Sequence, residues 1–169
     1  MSVCPSRGEE YGAPRVMLSR GVTEYDQDRF VSDAGYVNEL NQNIIAEFRA
    51  NAGVVAAYGG SAVLLLHTTG AKSGQPRLSP LAYSLVGGRM LVTGSYAGAP
   101  RDPAWVHNLR AIPRARIEVG TEAYDIDARE LLGEERDTAF REITDQAPVF
   151  ADYQARTART IPVFELHRV

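Results

Sequence analysis

Hydrophobic and polar residues change their spacing near residue 62, which divides the chain into a helical part and a strand-rich part. Between Asp33 and Asn51, apolar residues recur every three or four positions, the spacing of one face of an α-helix. Ser32 or Asp33 is expected to cap that helix, and Gly53 follows its end. From Ala62 onward, apolar residues stand in short runs or alternate with polar ones, which predicts β-strands.

Six strands are predicted from these runs and from the turn residues between them. Gly87-Gly88 and Gly120 each separate two runs closely enough for a hairpin. Proline cannot donate to a strand ladder, so we expect Pro80 to break or bend its strand and Pro162 to begin an edge strand. The predicted strands cover residues 62–68, 77–86, 89–94, 114–119, 122–132 and 161–169.

Two further helices are predicted among the strands. Asp102 followed by Pro103 is typical of a helix cap and a first helical residue, so a short helix is expected to reach about Ala111. Residues 134–145 also have helical spacing. Hairpin-linked strands without alternating long helices argue against a Rossmann sheet and favour a small barrel. The predicted fold class is therefore mainly β (α+β), with about six mostly antiparallel strands and two to four helices.

The chain of 169 residues is long enough for one domain. Residues 1–30 lack periodicity and are predicted to be an N-terminal arm, and residues 31–169 to be one domain. The longest apolar run, Ala62 to Leu66, is far below the ~20 residues of a membrane span. No signal peptide and, with Cys4 alone, no disulfide framework are expected, so the predicted compartment is the cytoplasm. The polar face of the helix 33–51 is rich in Asn, Gln and Glu, which argues against contact with a membrane surface.

Charge is distributed unevenly along the chain. The net charge is −3, which argues against nucleic acid as the partner. Residues 67–116 nevertheless carry seven basic side chains and one acidic side chain. A basic middle would attract an anionic ligand. Alternatively, some of these arginines pair with acidic residues of the last third.

The segment from Thr68 to Arg77 is the strongest local motif. Its two glycines permit a turn with exposed N–H groups, which can bind an anion. Lys72 adds a point charge, and Arg77 adds a planar guanidinium suited to phosphate or carboxylate. The segment is not a P-loop. The alternative is a plain hairpin loop with solvated basic side chains.

Three other features suggest ligand binding. Small residues from Thr93 to Pro100 leave room for a ligand, and Ser95 offers a hydroxyl. Trp105 and Asn108 share a face of the short helix, where they could stack on a flat ring and bond its edge, unless Trp105 only fills the core. Tyr153 could hydrogen-bond a reacting oxygen, or lie on an ordinary surface helix.

Side chains for metal binding or nucleophilic catalysis are poorly represented. The three histidines, His67, His107 and His167, have no helical ligand spacing, so no metal is expected. Because the chain offers anion binding and stacking instead, the hard chemistry is expected to belong to a cofactor.

The same segments resemble the deazaflavin-dependent nitroreductase and quinone reductase family of actinobacteria. The resemblance runs from about Asn41 to Val169. It rests on the blocks Leu64–Arg77, Pro80-Leu81, Thr93–Ser95, Asp102–Arg110 with Pro113, and Thr160–Pro162. It implies a split β-barrel that binds coenzyme F-420, a deazaflavin with a phosphate and a polyglutamate tail. Reduced cofactor would pass a hydride to a quinone, a nitroaromatic or an activated alkene.

The resemblance also implies roles at matching positions. Ser95 and Tyr153 would be catalytic, since their hydroxyls would stabilise the developing oxyanion of the acceptor. The loop from Lys72 to Arg77 would hold the phosphate and tail. The implied cofactor-binding residues are Lys72, Ser73, Gly74, Gln75, Pro76, Arg77, Pro80, Thr93, Gly94, Ser95, Tyr96, Ala104, Trp105 and Asn108.

Two positions depart from the family pattern. Tyr96 stands where the family usually has lysine, and Ala71 where many members have arginine. Either tail binding is weaker here, or Arg101 compensates.

Other functions stay open from the sequence. An FMN-dependent split-barrel oxidase or reductase would need the same phosphate site, and a non-catalytic carrier would bind cofactor without turnover. A plain binding module would have loops that are only structural. For the reductase, the expected partner is a small-molecule hydride acceptor, with no nucleic acid and no stable protein partner.

Overall fold

The computed structural model describes residues 26–56 and 62–169. Five α-helices, six strands and one turn of 3₁₀ helix at Tyr96–Gly98 follow one another in these two ranges. The helices are α1 (Gln27–Ser32), α2 (Ala34–Ala50), α3 (Ala104–Ala111), α4 (Gly133–Gln146) and α5 (Val149–Ala155). The strands are β1 (Val63–Thr69), β2 (Pro76–Val86), β3 (Arg89–Thr93), β4 (Arg114–Val119), β5 (Glu122–Leu131) and β6 (Val163–Arg168).

The six strands close into a barrel in the order β1-β2-β3-β6-β5-β4, with β4 pairing again with β1. Every pairing is antiparallel. The predicted mainly β fold with six strands is thus confirmed. Most boundaries lie within one or two residues of the prediction, because alternation and turn residues act locally.

The barrel buries both faces of β1, which explains its uninterrupted apolar run. Leu64 and Leu66 belong to one core cluster together with Trp105, Ile117 and Phe164. The intervening residues of β1 pack on the other side, in a cluster with Leu40, Ile44, Ile45 and Phe48 of α2. Since side chains alternate along a strand, α2 and the barrel interior each cover one face of β1.

Caps and packing set the positions of α2 and α4. The carboxylate of Asp33 accepts the backbone N–H of Tyr36 at 3.0 Å and begins α2 as predicted. On α4, Ala139, Phe140 and Ile143 are buried as the helical spacing requires. They pack in a third cluster with residues of β2, β3, β5 and β6.

Two local predictions, at Pro162 and Asp102, were wrong, and the strand break expected at Pro80 does not occur. β6 lies between β3 and β5, so it is not an edge strand, and Pro162 stands just before it. β2 continues through Pro80, where it pairs with β1 alone because β3 begins to pair only at Tyr83. Asp102 does not cap α3, since its carboxylate binds the guanidinium groups of Arg110 and Arg159 instead.

The predicted N-terminal arm, residues 1–30, lies outside the described residues except for residues 26–30. Cys4 belongs to the part that is not described. Among the residues that are, no helix is both long and apolar enough to cross a membrane.

Candidate functional site

The loop between β1 and β2 holds the predicted anion-binding residues. The backbone N–H of Gly70 donates to the carbonyl of Gln75, and that of Gly74 donates to the carbonyl of Gly70, both at 2.8 Å. Gly74 has a φ of +66°, in the left-handed region that favours glycine. Within the described chain, the backbone N–H groups of Lys72 and Ser73 meet no acceptor. They are therefore available to a ligand, as an anion site requires.

Asn108 holds this loop on α3. Its Oδ1 accepts the backbone N–H of Ala71 at 2.9 Å, and its Nδ2 donates to Oγ1 of Thr68 at 3.0 Å. Both Asn108 and Thr68 are buried, whereas Ala71 is exposed. The amide of Asn108 thus joins α3 to the end of β1 and to the loop, a role that the sequence did not suggest.

Side chains around the loop complete its geometry. Residues 71–77 are all exposed. The hydroxyl of Ser73 accepts the backbone N–H of Gln75 at 3.2 Å and lies 3.5 Å from a guanidinium nitrogen of Arg77. Pro76 begins β2, and Pro80 is buried further along the same strand.

The seven basic residues of the middle segment divide into two groups. Arg89, Arg110, Arg114 and Arg116 each have a carboxylate within 4 Å, belonging to a later part of the chain in every case. Lys72, Arg77 and Arg101 have no carboxylate partner among the described residues. The alternative that arginines pair with the acidic last third therefore holds for four residues, and the charge of the other three is not compensated within the described residues.

The second predicted segment runs from the end of β3 into α3. Thr93 pairs with Val163 of β6, and the N–H of Gly94 donates to the carbonyl of Pro162 at 2.9 Å. A Cβ at Gly94 would lie 2.7 Å from Val106 and 2.8 Å from Pro162, so only glycine fits without a shift. The hydroxyl of Ser95 has no partner among the described residues.

Tyr96 and Ala97 have φ angles of 45° and 52°. Two consecutive non-glycine residues in the left-handed region are uncommon and strained. Tyr153 and Arg156, at the end of α5, pack beside this turn. Their closeness is seen at Gly98, where an added Cβ would lie 2.8 Å from the carbonyl oxygen of Tyr153.

Arg159, late in the sequence, holds the segment at residues 95–102 through hydrogen bonds. Its guanidinium donates to the carbonyl of Ser95 at 2.9 Å, to that of Ala99 at 2.8 Å and to the carboxylate of Asp102 at 2.7 Å. Because three bonds from one planar group span residues 95–102, Arg159 sets where Ser95 lies.

Arg136, which is buried, supports the same region. Arg136 of α4 donates to the carbonyl of Ile161 and to the side chain of Gln154. Gln154 in turn donates to the carbonyl of Arg159 at 2.7 Å. Sequence reasoning missed Arg136, Gln154 and the bracing role of Arg159. The one available signal was a basic residue on the apolar face of α4.

The three predicted cofactor-binding residues of α3 have different surroundings in the structure. Ala104 is exposed at the start of the helix. Trp105 is only 5% exposed, and its ring meets that of Phe164 edge-on at 5.8 Å between centroids. Trp105 is therefore part of the barrel core, and Asn108 is engaged with the loop. Direct contact of either with a cofactor ring stays a prediction.

Tyr153 lies on α5, half-buried beside the turn at residues 96–98. Its ring packs edge-on against Phe150 at 6.0 Å. Burial raises the pKa of its hydroxyl, while a hydrogen bond with the side chain of Gln27 lowers it. The net shift is upward, so the hydroxyl stays protonated at neutral pH and can donate a hydrogen bond.

Helix α1 lies against the same turn, which sequence reasoning did not show. Phe30 meets the ring of Tyr96 edge-on at 5.4 Å. Gln27 bonds Tyr153 and also accepts a hydrogen bond from Arg156. The segment at residues 95–102 is thus bordered by α1 on one side and by α5 on another.

Two clefts are lined by other residues. One, of about 350 Å³, is lined by Arg110, Glu130, Arg136 and Asp137 among others. The other, of about 290 Å³, is lined by Arg89, Glu165 and His167 among others. Neither includes a predicted site residue. The first is a poor anion site, because both of its arginines already bind carboxylates or carbonyl oxygens.

Two of the three histidines, His67 and His167, each have a carboxylate within 4 Å. His67 bonds Glu118 at 2.7 Å, and Glu118 also binds Arg49 at 2.8 Å. No group of three or more metal-ligating side chains occurs among residues 26–56 and 62–169.

Comparisons with known proteins give this geometry a family. The model of the F420H(2)-dependent quinone reductase family matches residues 41–167. An F420H(2)-dependent quinone reductase of Mycobacterium tuberculosis (strain H37Rv) is 42% identical over 108 residues, which are 62% of this chain and 72% of that protein.

Two solved structures are similar as well. An F420-H2-dependent reductase is 38% identical with a TM-score of 0.56, and the match covers 62% of this chain and 93% of that one. A chain described as a domain-swapped dimer is 32% identical with a TM-score of 0.57, and that match covers 80% and 100% of the two chains. The family match spans about three quarters of the sequence, including both loops and α3. The chain belongs to the F420H(2)-dependent quinone reductase family.

Proposed function

We propose that this protein is a reductase that uses reduced coenzyme F-420 to reduce a quinone, and that it holds the cofactor's anionic groups at the loop from Lys72 to Arg77. One observation carries the proposal. An exposed loop, held by Asn108, presents cations and backbone N–H groups that have no partner among the described residues, where most other arginines pair with a carboxylate. Such a loop matches the phosphate and carboxylates that the family resemblance implies for the cofactor.

The donor set of the loop fits those anions. Lys72 supplies a mobile ammonium and Arg77 a planar guanidinium, which binds phosphate or carboxylate through two parallel hydrogen bonds. The hydroxyl of Ser73 lies within reach of Arg77 and keeps it at the loop. The brace from Asn108 keeps these donors in place, which lowers the entropy lost on binding.

The edge formed by Thr93, Gly94 and Ser95 is proposed to face the deazaflavin ring. When bound in its reduced form, the cofactor supplies the hydride. Because Gly94 has no side chain, its backbone packs directly against Val106 and Pro162, and this edge stays narrow. Ser95 is fixed in position by Arg159 through its carbonyl, while its hydroxyl remains unbonded within the described chain.

Two hydroxyls are proposed to act on the acceptor. Reduction of a quinone by hydride leaves a negative charge on oxygen, which a nearby hydrogen-bond donor stabilises. Ser95 and Tyr153 are both donors at neutral pH, and both lie beside the turn at residues 96–98. Loss of one such donor typically slows turnover by ~10²–10³-fold.

The family match supports a quinone as the acceptor. Reduction of nitroaromatics or activated alkenes is a further proposal that the family match does not address. The FMN alternative gains no support from the family match. A carrier function stays separable by experiment, because a carrier would bind reduced cofactor without oxidising it. Placement in the cytoplasm and the lack of a stable protein partner remain predictions.

A fluorescence titration tests the cofactor site. Purified protein is titrated into coenzyme F-420, with FMN in a parallel titration. We expect saturable binding of the deazaflavin, weakened at least about tenfold by Lys72→Ala or Arg77→Ala, because each removes a charged contact. Arg114→Ala is the matched control, since Arg114 of β4 already pairs with Asp127 of β5. Binding of FMN alone would contradict the proposal.

Turnover tests the reaction. Oxidation of reduced cofactor is followed with a water-soluble naphthoquinone, a nitroaromatic and an activated alkene in separate assays. We expect the quinone to be reduced and Ser95→Ala or Tyr153→Phe to slow that reduction. Unchanged turnover in both variants with every acceptor would refute the assignment of the two hydroxyls.

A further inference from the structure

Arg101 is an uncompensated cation outside the loop that is proposed to hold the cofactor's anions. Its side chain is exposed, and no carboxylate within the described residues pairs with it. Its guanidinium carbon lies 5.3 Å from the ring centroid of Tyr96, and one guanidinium nitrogen donates to the carbonyl of Val31 at 2.8 Å. A guanidinium has five N–H donors, so the contact with Val31 leaves most of them available.

The backbone beside Arg101 also offers donors. Ser95 is right-handed at φ −68° and ψ −39°, and Tyr96 and Ala97 follow it in the left-handed region. Such a succession turns neighbouring N–H groups toward one side and makes a concave site for a negatively charged group. Within the described chain, the N–H groups of Tyr96 and Ala97 meet no acceptor.

Helix α3 relates this corner to the first loop. The segment carrying Arg101 leads directly into Ala104, the first residue of α3. Asn108, which braces the first loop, is four residues further on, a rise of about 6 Å along the helix axis. The segment carrying Arg101 and the first loop therefore adjoin the same helix, the segment at its start and the loop at Asn108.

We propose that Arg101, supported by the ring of Tyr96, is a second anion-binding residue for the cofactor, separate from Lys72 and Arg77. The inference rests on the proposed function. The aromatic ring holds the guanidinium from one face by cation–π attraction and leaves its edge for the ligand.

The test compares two charge-removing variants by the dissociation constant for coenzyme F-420. Arg101→Gln is expected to raise it by about tenfold, the effect of losing one charged contact, and to reduce its dependence on salt. Arg116→Gln is the matched control, because it changes net charge equally but Arg116 of β4 pairs with Asp125 of β5. We expect less than about a twofold change there. Equal effects of the two variants would overturn the proposal.

A rescue variant separates ligand binding from a purely structural role. Adding Tyr96→Lys to Arg101→Gln returns a cation to the same turn but does not restore the bond to Val31. Recovery of most of the affinity would support direct anion binding. Weak binding that persists after rescue, in a sample with wild-type circular dichroism, would show that Arg101 acts by holding α1 and would overturn the proposal. If wild-type protein bound no deazaflavin, the proposed function itself would fail.

Discussion

Replacing Asn108 by leucine tests whether one buried amide both stabilises the barrel and positions the anion-binding loop. Leucine has a similar volume but cannot hydrogen-bond. The change removes the contact with the Ala71 N–H at 2.9 Å and the contact with Thr68 at 3.0 Å. Thr68→Val removes only the second contact, because the loop bond of Asn108 remains.

The expected magnitudes follow from burial. A hydrogen bond contributes about 1 kcal/mol net, and a buried group left unpaired costs about 1–3 kcal/mol. Thr68 is buried, whereas water can reach the exposed N–H of Ala71. We therefore expect Asn108→Leu to lower the free energy of unfolding by about 2–3 kcal/mol and Thr68→Val by about 1–2 kcal/mol.

Urea denaturation followed by circular dichroism measures these free energies. For a chain of this size, each kcal/mol corresponds to roughly 2–4 °C in Tm. The dissociation constant for coenzyme F-420 is measured on the same samples. It should rise about fivefold in Asn108→Leu, since about 1 kcal/mol of loop bracing is lost, and stay unchanged in Thr68→Val. Asn38→Leu on the exposed face of α2 is the control for adding an apolar side chain.

Two outcomes would refute this reasoning. Stability equal to wild type in Asn108→Leu would mean that the two hydrogen bonds have no net value. An equal loss of cofactor affinity in Asn108→Leu and Thr68→Val would mean that the bond to the loop does not position it.

Three further predictions concern the elements around the site. Arg159→Lys should lower the free energy of unfolding by about 2 kcal/mol in urea, because an ammonium cannot span the three acceptors of the guanidinium. Gly94→Ala should cost about 1–3 kcal/mol in the same measurement through overlap with Val106 and Pro162, and no loss would show that this contact relaxes freely. Arg49 and His67 lower the pKa of Glu118 below 4.5. The carboxylate therefore stabilises the fold fully above pH 4.5, and this contribution declines as the pH falls through the lowered pKa. In Glu118→Gln, Tm should depend less on pH over that acidic range than in the wild type.

The barrel could be predicted from the sequence because its signals are local. Alternation along a strand and glycines between strands depend on neighbouring residues alone. The cap at Asp33 was predictable for the same reason, since its partner Tyr36 is three residues away. Asp102 offered the same local signal at α3, yet its carboxylate binds Arg159, 57 residues later. A carboxylate does not cap its helix where the fold places guanidinium groups within hydrogen-bond distance of it.

The candidate site shows the same division. Its basic and glycine-rich segments, and the family they indicate, were determined by the sequence itself. Only the tertiary structure decided which cations keep their charge uncompensated, because the carboxylates that neutralise Arg110, Arg114 and Arg116 come from the later strand β5. It also assigned Asn108 to the loop and Arg159 to the segment at Ser95. Such assignments depend on distances between residues far apart in the chain, and no local pattern of residue types specifies them.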